Sequence, residues 1–481
     1  MVKIVYAASE IVPFASTGGL AEVGAALPRA LSDRGIEFIR VMPLYRQVAE
    51  GGFELKDTGM RLDIPVGFRR HKAEIWLTRE PGPLTYFIRK DEFFDRSQLY
   101  SLPERDYDDN LERFVFFQKA VVALIDALEL KPDIVHCSDW QTGLIPLFLK
   151  HGIHGMGRTQ TEKTVFTIHN LAYQGIFPGS QYSVTNLPFF CFTVDVLEFY
   201  GNINCMKAGI TTSNIITTVS KTYAQEIRTE EFGCGLQGVL ASVGDRLVGI
   251  INGADYSSWD PSKDPFLARP YRVDDLAGKK ECKKDLIRIM DLDITEQTPV
   301  IGMVSRLVNQ KGLDILAEAM PTLMSMGMAM VVLGVGQEQF HALCREWVSR
   351  WPGQFAVSLD YNIGLAHKID AGSDICLVPS RFEPCGLNQL YGLRYGAVPV
   401  VHATGGLEDT ILDLNDDGSQ GTGIKFKTYT SDALVAAVRR ALDLYRQDSV
   451  WTAIVKRSMQ QDFSWERSAD DYLTFYHRIS S

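Results

Sequence analysis

Apolar residues in this chain gather in short continuous runs, separated by stretches whose apolar positions recur at helical spacing. In the first half the runs are KIVYAAS, EFIRVMPLY, DIVHCS, KTVFTIHN, IITTVS and RLVGIING; in the second they are PVIGMVS, AMVVLGVG, FAVSL, DICLVPS, VPVVHAT and GIKFK. A strand that alternates apolar and polar residues keeps one face wet. A strand that is apolar throughout is buried on both faces, as in a parallel sheet covered by helices. The pattern therefore predicts an α/β chain of two doubly wound domains.

Two interruptions locate the boundaries. Between the fourth and sixth runs of the first half the regularity fails over residues 171–209, which read as a long insertion bordering a cleft. The stretch GADYSSWDPSKDP, residues 253–265, is rich in turn formers and polar residues and reads as the hinge. The expected division is 1–253, 254–460 and a terminal segment 461–481, whose aromatic-rich SWERSADDYLTFYHRI predicts a helix packing back on the first domain.

A length of 481 residues is too great for one core and fits two domains. Hydrophobic content of 46% with 22% charged residues is that of a soluble globular protein. No apolar run approaches the ~18 residues of a membrane span and no cleavable leader is evident, which predicts a cytoplasmic protein, or one of the plastid stroma if the source is a plant or alga. The eight cysteines contain no C-x-x-C pair, so neither a disulfide framework nor a zinc site is expected. A net charge of −10 argues against a general affinity for nucleic acid or anionic membrane. Cations that matter must be local and few.

Such cations stand at predicted strand ends. In VSRLVNQKGLD, Arg306 and Lys311 follow one strand and precede a helix; two cations at a sheet's carboxyl edge suit a diphosphate, although a solvated loop would use the same residues. In LVPSRFEPCGLNQLYGLRYG a strand ends at Pro379, Glu383 follows, and Gly386 is expected to start a helix whose N–H groups, around Cys385 to Leu387, suit a phosphate. ATGGLEDT adds Thr404, Gly405 and Gly406 at the next strand end, and LGVGQEQF adds Gly334 and Gly336. Each glycine turn taken singly is compatible with packing. In the first half, STGGL places Gly18 and Gly19 between a strand and an amphipathic helix, without the third glycine of a dinucleotide fingerprint. HCSDW sets Asp139 and Trp140 after one strand and TIHN sets His169 and Asn170 after another, a candidate contact with a reacting sugar. The Asp-x-Asp at 291–293 lies between a helix and a strand start, where Asp is an ordinary capping residue, so no metal site is expected there.

Taken in order and spacing, STGGLAEVGAALP, HCSDWQTGLIP, TIHNLAYQG, VSRLVNQKGLD, VPSRFEPCGLNQLYGLRYG and ATGGLEDT resemble the bacterial glycogen synthases and plant starch synthases. The resemblance runs from residue 4 to about residue 480. It implies a GT-B fold, two Rossmann-like domains facing across a deep cleft, and transfer of glucose from ADP-glucose to the non-reducing end of an α-1,4-glucan with retention of configuration, without cofactor or metal. It further implies that Arg306 and Lys311 neutralise the leaving diphosphate, that Glu383 holds hydroxyls of the donor glucose, and that His169 and Asp139 sit near its anomeric centre. Asn252 would line the donor pocket, Tyr361 would stack on the adenine, and Trp140, Asn170 and the residues around Cys385, Gly386 and Leu387 would contact substrate.

The chain departs from the family pattern at two positions. Ser16 stands where the family has a lysine two residues before the glycine pair, and Glu22 stands where it usually has Asp. A retained fold with lost turnover, a glucan-binding or regulatory homologue weakened at Ser16, is the alternative. The position eight residues after Glu383, a second glutamate in many related retaining transferases, is Tyr391, as in the glycogen and starch synthases.

Overall fold

A computed structural model describes residues 2–32, 34–102, 105–154 and 162–480. The chain divides into two compact units: Met1–Val219 with Ala224–Gly253 and Trp465–Ser481, and Ser220–Tyr223 with Ala254–Ser464.

The first unit is built on a nine-stranded sheet. Its strands are β1 (Lys3–Ala7), β2 (Glu37–Pro43), β3 (Lys56–Val66), β4 (Arg69–Thr78), β5 (Thr85–Arg89), β6 (Ile134–Ser138) and β7 (Lys163–Ile168), and, after three short strands β8 (Ile176–Pro178), β9 (Glu198–Phe199) and β10 (Asn202–Asn204), β11 (Ile215–Thr218) and β12 (Leu247–Gly249). The order is β12-β11-β7-β6-β1-β2-β5-β4-β3. Every pairing from β12 across to β5 is parallel, and β5-β4 and β4-β3 are antiparallel. Burial explains the continuous runs: Ile4, Val5, Tyr6 and Ala7 of β1 have no accessible surface. The helix Gly19–Ser32 covers this sheet through Leu20, Val23, Leu27 and Leu31.

Sequence pattern did not anticipate the β3–β4 hairpin. Its residues are mostly exposed or half-buried towards the outer end of β3, so no continuous apolar run marks it. Residues 171–209 form a small antiparallel sheet of their own, in the order β8-β10-β9. The terminal helix Trp465–Ser480 belongs to the first unit, whereas residues 461–464 belong to the second. Trp465, Tyr472, Phe475 and Tyr476 of this helix are buried, and Arg34 pairs with Asp470 and donates to the Glu466 carbonyl at 2.8 Å.

The second unit carries a six-stranded, wholly parallel sheet of β13 (Val300–Val304), β14 (Ala329–Leu333), β15 (Phe355–Ser358), β16 (Ile375–Val378), β17 (Val398–His402) and β18 (Ile424–Phe426), in the order β15-β14-β13-β16-β17-β18. In both sheets the strand order reverses beside the first strand of the unit, between β6 and β1 and between β13 and β16. Ligands of open parallel sheets bind outside the carboxyl ends of the strands at such a reversal. The sequence motifs fall there: Gly18 and Gly19 follow β1, Asp139 follows β6, His169 follows β7, Arg306 and Lys311 follow β13, and Glu383 follows β16.

Candidate active site

In the first unit Asp139 is held by hydrogen bonds through its N–H, its carbonyl and its carboxylate. It takes φ 57°, ψ −177°, a left-handed conformation uncommon outside glycine, directly after β6. Strain of this kind persists where surrounding bonds dictate it. The Asp139 N–H donates to the Thr167 carbonyl at 3.0 Å, its own carbonyl accepts from Thr142 at 3.1 Å, and its Oδ1 accepts from the His169 N–H at 2.8 Å. Burial pushes the Asp139 carboxyl up to about 7, against the lowering effect of the His169 and Asn170 backbone N–H groups.

His169 is buried, and burial pushes its ring down to about 3, so the imidazole is neutral at pH 7. Its Nε2 has no hydrogen-bond partner among the described residues, and neither has Asn252 Oδ1. Buried polar atoms are nearly always paired, so each of these two is suited to a ligand's hydroxyl. Asn170 uses its side chain locally, accepting from the Ala172 N–H at 3.0 Å. The Trp140 indole is packed: it lies in edge contact with Phe114 at 4.9 Å and is tilted against Phe177 at 5.6 Å, and it fills the space a side chain at Gly175 would need.

Ser16, Thr17, Gly18 and Gly19 are exposed, and a Cβ at either glycine would meet nothing within 4 Å. This glycine pair is open space, unlike most glycines of the fold. Thr17 donates through its hydroxyl to Glu10 at 2.8 Å and also through its N–H, and Tyr100 donates to the same carboxylate at 2.5 Å, so the arch is tied down from below. Glu22 lies in the first turn of the helix, where its charge suits the dipole. Behind the edge, His136 joins Tyr476 through Nδ1 and Thr167 through Nε2, each at 2.6 Å, and Thr167 joins Thr217 at 2.6 Å. Sequence gave no sign of this network, which links the terminal helix to the strand that precedes His169.

In the second unit Lys311 closes a short 3₁₀ turn, Asn309–Lys311, before the helix Leu313–Met324. Gly312 between them takes φ +77°, and a Cβ there would overlap the Pro379 carbonyl oxygen; glycine lets the β13 and β16 loops touch. That closeness sets Lys311 Nζ 2.6 Å from Glu383 Oε2, with the two side chains 15% and 9% exposed. Gln310 braces the same contact, accepting from the Arg381 N–H at 2.9 Å and donating to the Phe382 carbonyl at 3.1 Å. The Arg306 side chain is exposed and makes no ion pair among the described residues.

One expectation needs correction here. The helix after Glu383 spans Asn388–Tyr395; Gly386, at φ +73°, lies outside it, because a left-handed residue cannot continue a right-handed helix. Gly405 and Gly406 are contact glycines: a Cβ on either would overlap the carbonyl oxygen of Glu383 or Cys385, and the Gly406 N–H donates to the Glu383 carbonyl at 3.0 Å. Thr404 and Cys385 are buried beside them. Gly334 and Gly336 likewise admit the Ser305 and Leu307 carbonyls, and the Gly336 N–H is taken by His341 Nε2 at 3.0 Å. Tyr361, after β15, is 86% exposed. Tyr391 stacks on Trp259 at 4.1 Å, and the other face of Trp259 stacks on His367 at 3.7 Å.

The chain is similar to known proteins over nearly its whole length. Residues 3–242 match the starch synthase catalytic domain, and residues 289–457 match the glycosyl transferases group 1. The chain is 43% identical over 474 residues to glycogen synthase 2 of Geobacter sulfurreducens, covering 98% of each chain. It is 42% identical over 479 residues to a glycogen synthase of Anaeromyxobacter dehalogenans, covering 99% of this chain and 100% of that one. The catalytic domain of starch synthase IV from Arabidopsis thaliana, bound to ADP and acarbose, matches with a TM-score of 0.89 at 32% identity, over 100% of this chain and 99% of that one. Sucrose-phosphate synthase of Thermosynechococcus elongatus, 15% identical with a TM-score of 0.61, shares the fold. The fold is GT-B, and the chain, a glycosyltransferase, belongs to the family of glycogen and starch synthases.

Proposed function

We propose that this synthase takes glucose from ADP-glucose and adds it to the non-reducing end of an α-1,4-glucan with retention of configuration, without a metal ion. The observation that carries the reading is the Lys311–Glu383 pair at the strand-order reversal of the second sheet, in a chain similar end to end to glycogen synthases. Glycosyl transfer breaks the bond from the anomeric carbon to the diphosphate oxygen, leaving positive charge on the sugar and negative charge on the departing ADP. Fixed cations at the leaving group stabilise that charge separation more than they stabilise the bound donor. Arg306, in no ion pair among the described residues, and Lys311 fill this role. Glu383 accepts from hydroxyls of the transferred glucose. His169, neutral and with Nε2 unpartnered among the described residues, offers that nitrogen to a sugar hydroxyl, with Asp139 holding its backbone; Tyr361 offers an exposed ring to the adenine. In this reading the protein works in the cytoplasm on diffusible donor; no helix among the described residues is long and apolar enough to cross a membrane.

Labelled glucose offered as ADP-glucose or as UDP-glucose, with glycogen and a chelator, tests the proposal. Incorporation from ADP-glucose into α-1,4 linkages in the presence of chelator is the expected result. Incorporation only from UDP-glucose, or only with a divalent ion, overturns it; binding of glycogen without incorporation from either donor would move the protein to a non-catalytic role.

A further inference from the structure

Glu383 receives both of its side-chain hydrogen bonds from the protein on one oxygen. Lys311 Nζ donates to Oε2 at 2.6 Å, and Ser380 Oγ donates to the same Oε2 at 2.8 Å; Oε1 accepts nothing from the described residues. Ser380 is itself fixed. It is fully buried, and its carbonyl oxygen, which can only accept, lies 2.8 Å from His402 Nδ1, so that nitrogen carries the hydrogen. The His402 ring is held in turn at the end of β17 between Phe426 and Tyr429, at 5.4 and 5.2 Å.

We propose that Ser380 is a positioning residue that fixes the rotation of the Glu383 carboxylate, so that Oε1 is the oxygen presented to the donor's hydroxyls. This rests on the reading above in which Glu383 holds those hydroxyls. A lysine ammonium on a four-carbon stem is a mobile point charge and by itself leaves the carboxylate plane loosely set. A second donor, arriving on the same oxygen from a buried hydroxyl three residues away, removes that freedom. It matters most when a diphosphate draws Lys311 away from Glu383, because Ser380 then remains as the protein's hold on the carboxylate. Preorganisation of this kind acts on the step where the sugar must be aligned with its leaving group.

The test compares Ser380→Ala and Glu383→Gln with the unaltered enzyme, using ADP-glucose and the ADP-sugars that lack one hydroxyl each. With ADP-glucose, Ser380→Ala should lower kcat/KM by about tenfold or more, the order expected for a lost hydrogen bond to a charged group. With the deoxy donor that lacks the hydroxyl read by Oε1, the difference between Ser380→Ala and the unaltered enzyme should shrink to within about twofold, since there is nothing left to align. An equal loss on every donor would reduce Ser380 to a structural role and overturn the inference, as would full activity of Ser380→Ala on ADP-glucose. Full activity of Glu383→Gln on ADP-glucose would instead overturn the underlying reading of Glu383, a separate failure recognisable in the same experiment.

Discussion

The carboxylate of Asp139 holds the backbone of His169, not its ring: Oδ1 accepts the His169 N–H at 2.8 Å across the parallel pair β6 and β7. The two residues are therefore not an acid–imidazole dyad in which a carboxylate polarises a histidine. The imidazole is aimed by its main chain and kept neutral by burial, with Nε2 unpartnered among the described residues. Such a ring is suited to exchanging hydrogen bonds with hydroxyl groups and is uncharged at pH 7.

The cost of that arrangement is a buried carboxylate, and it sets a pH dependence. Burial raises the Asp139 carboxyl from 3.8 to about 7, so folding disfavours its ionised form. The resulting penalty is absent below the unfolded value, grows as the pH rises, and is complete above about 7, where it reaches an upper bound of about 4 kcal/mol. Asp139→Asn keeps an oxygen for the His169 N–H and removes the charge. The variant is expected to melt higher than the unaltered protein at pH 8, with the gain shrinking towards pH 5, and to turn over more slowly. Melting curves at the two pH values decide it: a gain that is the same at both would mean that Asp139 is not the source.

A paired charge in the second unit gives a different signature. Lys311 and Glu383 are largely shielded from water, so removing one partner strands the other. Lys311→Met should destabilise by about 3–5 kcal/mol, the range for breaking a buried pair from one side. The double variant Lys311→Met with Glu383→Gln should recover most of that stability and remain without transfer activity. Denaturant titration of the single and double variants measures the recovery; a double variant no more stable than Lys311→Met would show that the pair is not what stabilises the loop.

Continuous apolar runs were enough to place the strands from β1 to β2, β6, β7, β11, β12 and the whole of the second sheet, because a strand buried on both faces has no polar positions to obscure it. The β3–β4 hairpin escaped for the opposite reason, since Arg61, Asp63, Arg70 and Lys72 keep it wet. Glycine turns marked strand ends but could not say which glycines are packed and which are open. Gly405 and Gly406 look in sequence like Gly18 and Gly19, yet the first pair admits neighbouring carbonyls and the second opens on empty space. The hydrogen bonds of Ser380, His402, His136 and Tyr476 left no sequence signal. Their partners are set by tertiary contact, 340 residues apart for His136 and Tyr476.

The two glycine pairs should accordingly respond in opposite ways to the same substitution. At Gly406 a methyl group would collide with the Cys385 carbonyl, and Gly406→Ala should lower stability by about 1–3 kcal/mol through the backbone shift it forces. Gly18→Ala meets no atom within 4 Å and should change stability by less than about 0.5 kcal/mol. Its effect is expected in KM for donor or acceptor instead. Thermal melts alongside steady-state kinetics separate the two; a strongly destabilised Gly18→Ala would contradict the open environment of that turn.

Ser16 lies in the same open turn, exposed and next to Thr17, whose hydroxyl and N–H anchor the arch to Glu10. A longer side chain at position 16 can therefore extend into solvent without disturbing anything buried. Ser16→Lys restores the cation that the family pattern has two residues before the glycine pair, and a charge contact regained in a diphosphate pocket is worth about 1.5–3 kcal/mol. The expected outcome is a donor KM lowered by about tenfold, with the melting temperature unchanged because no packed atom moves. If the donor KM is unchanged or rises, the lysine does not reach the donor from this turn, and the missing cation at position 16 has no bearing on how this synthase holds its diphosphate.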